Sequence, residues 1–361
     1  MSLSRSDVIT LSLAAAATVA AAAFTLAGGG PVVRFVAAAV ALSLLATVVG
    51  HATDQLGSRM GPGATGVLQS ALGNLPELFV CIFSLRAGLV DVVRAALVGS
   101  ILANSLLVLG LAILAGGLRH GTQRFSSEAP RMVATMMLLA VSALAFPTLA
   151  HQLHTPAEAH ETVLSAACAV ALIVVFAASL PFSLKGDPAV VCNDPRADPK
   201  DEASVGHVIW PLSLTLIILA GAGIGAAFVS EWFVDALTPT MKSLGISETF
   251  AGLVVVAIAG NAVENVVGIQ LAAKNKPDYA MSVILNSSLQ IALALTPVLV
   301  LISFFIGPTP LTLVMAPLLV VALTLSAVIT AVIVYDGESI WLEGVALIAL
   351  YVMIATAFWW G

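Results

Sequence analysis

Long runs of alanine, valine, leucine and isoleucine alternate along the chain with short groups of glycine, proline and charged residues. Runs of about 20 apolar residues are long enough to cross the hydrocarbon core of a bilayer as α-helices. The first run also has features of a signal peptide, but its length favours a membrane helix. The pattern predicts eleven spans, at residues 8–28, 32–56, 63–85, 90–116, 127–150, 161–183, 206–236, 247–272, 278–306, 309–334 and 339–360.

The hexapeptide GNLPEL, which begins at Gly73, returns 187 positions later as GNAVEN, which begins at Gly260. Five predicted spans separate the matched helices, and because five is odd, the two copies must cross the membrane in opposite directions. An inverted repeat of this kind is typical of secondary transporters, which bind their substrate near the bilayer midplane. The same shift aligns Glu77 with Glu264, Asp91 with Asp278 and Ser100 with Ser287.

The predicted fold class is therefore an all-α polytopic membrane protein of about eleven transmembrane helices. Two inverted five-helix repeats follow an extra N-terminal helix. The only substantial polar stretch divides the two repeats, and we expect it to be a cytoplasmic linker. The predicted organisation is an N-terminal helix at 1–30, a first repeat at 31–184, the linker at 185–205 and a second repeat at 206–361.

The 14 lysine and arginine residues are distributed unequally between the two sides of this arrangement. One side carries only Arg34, Arg86, Arg94 and Lys242, and the other side carries the rest. Cytoplasmic loops of membrane proteins are enriched in these residues. We therefore expect a multi-pass protein of the cell membrane with its N-terminus in the cytoplasm and its C-terminus outside.

Composition agrees with this interpretation and narrows the function. The chain is 60% hydrophobic and 9% charged, with a mean hydropathy of +1.06, which exceeds what a soluble core requires. The 14 basic residues are outnumbered by 20 acidic ones, so no nucleic-acid partner is expected. The three cysteines show no paired spacing, so no disulfide framework is predicted. Ion chemistry is the expected function.

The two motif glutamates are the strongest candidates for that chemistry. A carboxylate at mid-bilayer is costly, so it faces a cavity, a partner or an ion. For each glutamate the alternative is a protonated or hydrogen-bonded acid, but two at matching repeat positions favour a cation site. The asparagine three residues earlier shares a helix face with the glutamate, and the glycines and Pro76 weaken the helix and free backbone carbonyl oxygens. These oxygen ligands suit a hard cation such as Ca²⁺. The predicted ligands are Gly73, Asn74, Glu77, Gly260, Asn261 and Glu264.

The spans that follow each motif carry further polar residues at similar depth. We expect them to form the remaining walls of the ion site, with ordinary hydrogen bonding between membrane helices as the alternative. They are Ser100, Asn104, Ser287, Ser288 and Gln290.

Over roughly residues 32–355 the chain resembles the calcium/cation antiporter superfamily, and within it the Ca²⁺/H⁺ exchangers. The resemblance is carried by both hexapeptides and by two longer stretches, residues 86–125 and 272–303. It implies two inverted five-helix repeats behind an extra first helix, and an ion site that uses Glu77 and Glu264. The Leu75-Pro76 pair is closer to the Na⁺-coupled branch of the superfamily.

Together these features predict a secondary active transporter that exchanges Ca²⁺ for H⁺ by alternating access. Two nearby carboxylates readily take up either a divalent cation or protons. If the protein changes state only when that charge is neutralised, Ca²⁺ must be exchanged for protons. The alternative on the same fold is Na⁺/Ca²⁺ exchange or exchange of Na⁺ or K⁺ for protons. No hydrolase motif occurs in the spans, so we expect neither an enzyme nor a cofactor beyond the transported ions. The oligomeric state is left open.

Two other groups of residues lie nearer the membrane surfaces. Glu231 and Asp54 are candidates for a proton pathway, or are plain interfacial charges. His151, His154 and His160 lie between the fifth and sixth spans. Histidine-rich tracts can bind Zn²⁺, and the alternative is a solvated outer loop.

Overall fold

The computed structural model describes residues 3–57, 59, 72–185 and 210–360. The described part of each of the eleven predicted spans contains helix. Seven described helices are long and apolar enough to cross a membrane, and a bent pair, Glu248–Gly260 with Asn265–Ala273, makes an eighth. Two shorter apolar helices occupy the last two predicted spans. Because lipid offers no hydrogen-bonding groups, these apolar segments satisfy their backbone within helices, and the all-α membrane prediction is confirmed.

The helices are α1 (Arg5–Leu26), α2 (Pro31–Gly57), α3 (Leu75–Arg86), α4 (Val90–Leu102), α5 (Leu109–His120), α6 (Glu128–Gln152), α7 (Glu161–Lys185), α8 (Leu212–Leu244), α9 (Glu248–Phe250), α10 (Ala257–Gly260), α11 (Ala262–Ala273), α12 (Pro277–Gln290), α13 (Thr296–Ser303), α14 (Pro317–Ile333) and α15 (Trp341–Ala357). Three π-helical segments continue neighbouring α-helices, at Ala103–Val108, Ala251–Val256 and Ile291–Leu295. The other elements are a 3₁₀-helix at Pro156–His160 and two short strands, β1 (Gln123–Arg124) and β2 (Glu338–Ser339).

The chain forms two compact units, and the first comprises Met1–Val80 and Leu180–Ser243. In this unit α1 packs against α2. The ring of Phe35 on α2 lies 4.6 Å from that of Phe233 on α8. At one end of the unit, the indole nitrogen of Trp210 donates to Asp7 Oδ2 at 3.1 Å. The unit therefore joins the first, second and seventh spans.

The second unit comprises Cys81–Ser179 and Leu244–Gly361. Its helices approach closely at glycines, as is common in membrane bundles. A Cβ atom on Gly99 would lie 2.2 Å from the backbone oxygen of Leu253, and one on Gly252 would lie 2.4 Å from that of Val92. The segment Ala251–Val256 therefore lies directly on α4, which places the second repeat motif beside Ser100.

The connections of the second unit fall into two groups at opposite ends of its helices. At one end β1 pairs antiparallel with β2, and His120 hydrogen-bonds to the carbonyl of Ala273. At the other end, Arg94 and Thr148 donate to carbonyl oxygens in the segment before α14, those of Thr312 and Leu313. This grouping is what spans of alternating direction require.

The tenth predicted span was placed too early in the chain. Residues 309–334 were expected to be helical, but α14 begins at Pro317. The preceding apolar segment is non-helical. Its backbone amides donate hydrogen bonds to side-chain hydroxyl groups of other helices, Leu313 N to Ser165 Oγ and Met315 N to Thr148 Oγ1. The prolines of GPTPLTLVMAP prevent a helix there, because proline lacks the amide donor.

Candidate ion-binding site

In the first unit, the GNLPEL motif lies at the start of a helix. Gly73 and Asn74 form a turn, α3 begins at Leu75, and Leu78 N donates to Asn74 O at 2.9 Å. Pro76 is the second helical residue, where a helix has no use for its missing amide. Glu77 lies in the first turn and its side chain is only 1% exposed. A carboxylate so buried requires a compensating proton, partner or cation.

In the second unit, the GNAVEN motif also breaks a helix. Gly260 is buried and ends α10, and Asn261 leaves helical geometry with φ −106° and ψ 22°. The helix axis bends by 63° between Glu248–Gly260 and Asn265–Ala273. Glu264 lies on the first turn of α11, but its side chain is outside the described part of the structure. Both motifs therefore place asparagine at a break and glutamate at the start of the next helix.

The asparagine position differs from the one we predicted. Asn74 and Asn261 were expected to share a regular helix face with their glutamates, yet each lies in the break before the helix. The expected weakening of the helix at both motifs is present. In a continuous helix, backbone carbonyl oxygens accept hydrogen bonds from the next turn. At a helix break, backbone and side-chain oxygens become available to other partners.

In the second unit, the buried side-chain amides of Asn261 and Asn104 each donate a hydrogen bond to a serine hydroxyl. Asn261 Nδ2 donates to Ser100 Oγ at 2.8 Å and to Ala257 O at 3.0 Å, and Asn104 Nδ2 donates to Ser287 Oγ at 3.0 Å. Both Oδ1 atoms are buried, and neither has a hydrogen-bond partner among the described residues. Each amide nitrogen thus donates to the protein, while each acceptor oxygen has no partner among the described residues.

A π-helical segment coincides with the predicted site residues in each repeat. Asn104 lies in Ala103–Val108, and Gln290, which is half-buried, directly precedes Ile291–Leu295. Adding 187 to 103–108 gives 290–295, so the two irregularities occupy equivalent repeat positions. Such bulges occur frequently at functional sites. This agreement supports the repeat that the sequence predicted.

Sequence reasoning named Ser288 but missed two residues next to these, Ser105 and Thr330. Ser105 Oγ lies 3.2 Å from Ser288 Oγ in a hydrogen bond, and Thr330 Oγ1 donates to Ser105 O at 3.5 Å. Ser105 directly follows the predicted residue Asn104 in the sequence, so its position was a usable signal. Thr330 offered none, because its span carries no motif.

The candidates for proton transfer lie elsewhere in the first unit. Asp54 lies near the end of α2 and Glu231 within α8, and both side chains are exposed.

The structure brings together Ser100 with Asn261 and Asn104 with Ser287. These four side chains are buried and offer amide and hydroxyl oxygens. That donor set suits a hard cation.

The sodium/calcium exchanger protein model matches residues 30–185 and 214–360. The chain is similar to the Ca²⁺/H⁺ antiporter of Synechocystis sp., with 37% identity over 348 residues, 92% of each chain. It is also similar to the Ca²⁺/H⁺ antiporter ChaA of Bacillus subtilis, with 34% identity covering 90% of this chain and 92% of that one. The crystal structure of the Ca²⁺/H⁺ antiporter protein YfkE shares the fold, with a TM-score of 0.81, 31% identity and coverage of 97% of this chain and 99% of that chain.

Proposed function

Because the chain belongs to the sodium/calcium exchanger protein family, we propose that it exchanges Ca²⁺ for H⁺ across a membrane by alternating access. The observation that carries this proposal is the similarity, over about nine-tenths of the chain, to proteins named as Ca²⁺/H⁺ antiporters. The relatives favour protons over Na⁺ as the coupling ion. The chain is a transporter of the multi-pass membrane class.

The two motif glutamates bind the transported ions in this proposal. Glu77 is supported by its burial at a helix break, and Glu264 by its equivalent repeat position on α11. Two carboxylates in a water-poor interior are stable when a divalent cation or protons neutralise them. A change of access that requires this neutral state couples Ca²⁺ movement in one direction to proton movement in the other.

Within the second unit, neutral oxygens offer further ligands to the ion. Asn261 and Asn104 each use their amide nitrogen as a donor, so the amide oxygen is oriented by bonds to Ser100 and Ser287. Ca²⁺ accepts six to eight oxygen ligands, and amide and backbone carbonyl oxygens are common among them. In the proton-loaded state those amide oxygens can accept a hydrogen bond from a protonated carboxyl or from water. The same oxygens therefore serve both ions.

The positions of basic residues in the second unit support the orientation that we propose. The end that carries β1, β2 and Ala273 also carries Arg119, Arg124, Arg131, Lys274 and Lys276. By the positive-inside rule this end faces the cytoplasm. In this proposal the C-terminus is outside, because α15 begins directly after β2, and the eleven predicted spans then give a cytoplasmic N-terminus.

The experiment is a flux measurement on the full chain in proteoliposomes that contain a pH-sensitive dye. An imposed Ca²⁺ gradient should drive proton movement in the opposite direction, and replacing all Na⁺ by choline should leave the rate within about twofold. A Ca²⁺ flux that requires Na⁺ and moves no protons would overturn the proposal and establish Na⁺/Ca²⁺ exchange instead.

A further inference from the structure

A second group of possible metal ligands lies away from the ion site, at the connection between α6 and α7. His151, Glu158 and Glu161 each offer one ligand atom, and these atoms all lie within 4.8 Å of one another. His151 Nδ1 is 2.5 Å from Glu161 Oε1 and 3.5 Å from Glu158 Oε1. It is the only such group of histidine, cysteine and acidic side chains within residues 3–57, 59, 72–185 and 210–360.

The local backbone assembles this group from residues up to ten positions apart in the sequence. His151 is in the last turn of α6, and the chain then reverses at His154, whose φ is +49°. A 3₁₀-helix, Pro156–His160, returns Glu158 toward α6, and Glu161 is the first residue of α7. The second oxygen of Glu158 accepts from His154 at 3.0 Å, which orients that carboxylate. Two helices and their connection thus converge on one point.

The spacing of these atoms suits a small divalent cation. Zinc binds imidazole nitrogen and carboxylate oxygen at about 2.0–2.2 Å, so tetrahedral ligands are separated by about 3.4 Å. The separations from His151 Nδ1, 2.5 and 3.5 Å, bracket that value. All three side chains are half-buried, so water can occupy the remaining coordination position.

We propose that His151, Glu158 and Glu161 bind a divalent first-row transition metal such as Zn²⁺ at the outer end of α6 and α7. An imidazole with two carboxylates is a ligand set for Zn²⁺ and its neighbours, whereas Ca²⁺ prefers oxygen ligands alone. The bound metal takes the place of the hydrogen bond between His151 Nδ1 and Glu161 Oε1. This proposal does not depend on the identity of the transported ion.

The test measures Zn²⁺ binding to the detergent-purified full chain, with excess Ca²⁺ present to occupy the transport site. Equilibrium dialysis should detect one Zn²⁺ per parent chain, and Zn²⁺ should raise the unfolding temperature. We expect His151→Ala and Glu161→Gln to weaken binding at least 10- to 100-fold and to abolish the Zn²⁺-dependent shift.

The matched control is His160→Ala, because His160 lies in the same connection but is not part of the cluster. It should bind Zn²⁺ like the parent. Unfolding temperatures without metal establish that each variant is folded. The proposal is overturned if the parent binds no Zn²⁺ under these conditions. It is equally overturned if a folded His151→Ala or Glu161→Gln variant retains parental affinity.

Discussion

Replacing Asn261 by alanine tests whether the unpartnered amide oxygens are ion ligands. The change removes Oδ1, which is buried without a hydrogen-bond partner in the described residues, and it removes Nδ2, which bonds to Ser100 Oγ and Ala257 O. Loss of Oδ1 should weaken ion binding, whereas loss of the Nδ2 hydrogen bonds should affect the stability of the fold. The two effects can therefore be measured separately.

The magnitude follows from the energy of a buried polar atom. An acceptor buried without a partner costs about 1–3 kcal/mol, and a cation that it coordinates relieves that cost. Without the oxygen, Ca²⁺ binding should weaken by about 1–3 kcal/mol, which is about 5- to 150-fold. The two lost hydrogen bonds contribute about 0.5–1.5 kcal/mol each to stability. Because the unsatisfied oxygen is lost with them, the free energy of unfolding without ions should change by less than about 2 kcal/mol.

The assay is the Ca²⁺ concentration that gives half-maximal proton flux in proteoliposomes. Asn286→Ala is the matched control, since the bonds of Asn286 Nδ2 among the described residues lie within its own helix, to Ser282 O at 2.9 Å and Ser282 Oγ at 3.2 Å. The control should stay within about twofold of the parent. If Asn261→Ala folds normally and keeps the parental Ca²⁺ dependence, the amide oxygen is not a ligand and the reasoning is refuted.

Two further predictions concern packing and orientation. Gly99→Ala should destabilise the protein by roughly 1–3 kcal/mol and slow transport, because its Cβ would meet the Leu253 carbonyl; Gly221→Ala, which has open space, should do neither. Thermal unfolding and flux check this, and equal behaviour of the two variants would contradict the close helix contact. In a cysteine-free background, an impermeant maleimide added to intact cells should label His160→Cys, and should label Lys274→Cys only after permeabilisation. The reverse pattern would invert the proposed topology.

The spans and the repeat could be predicted because lipid imposes a strong local rule. A helix of about 20 apolar residues is the simplest solution for a chain in a bilayer, so apolar runs alone located the helices. The hexapeptide repeat likewise predicted a weakened helix at both motifs, but the breaks include Asn74 and Asn261, which were expected to be helical. The start of α14 was predicted wrongly because the segment Leu311–Met315 is mostly apolar and yet is not helical. Its backbone amides donate to side-chain hydroxyl groups of other helices instead.

The hydrogen bonds at the candidate site needed the structure. The sequence spacing predicted that Ser100, Asn104 and Ser287 line the ion site. It could not predict which side chains hydrogen-bond to one another. Partner choice depends on how closely α4 and its neighbours approach, and that distance is set by backbone contacts at glycines. The same limit applies to Glu158 and Glu161. Only the reversal at His154 brings them to His151.

The most direct test of the central claim is Ca²⁺-driven proton flux in proteoliposomes for Glu77→Gln and Glu264→Gln. Glu248→Gln serves as control, because Glu248 is an exposed acid at the start of α9. The account predicts that both motif variants lose nearly all coupled flux while the control stays within about twofold of the parent. Parental coupling in either motif variant, with normal folding, would contradict it.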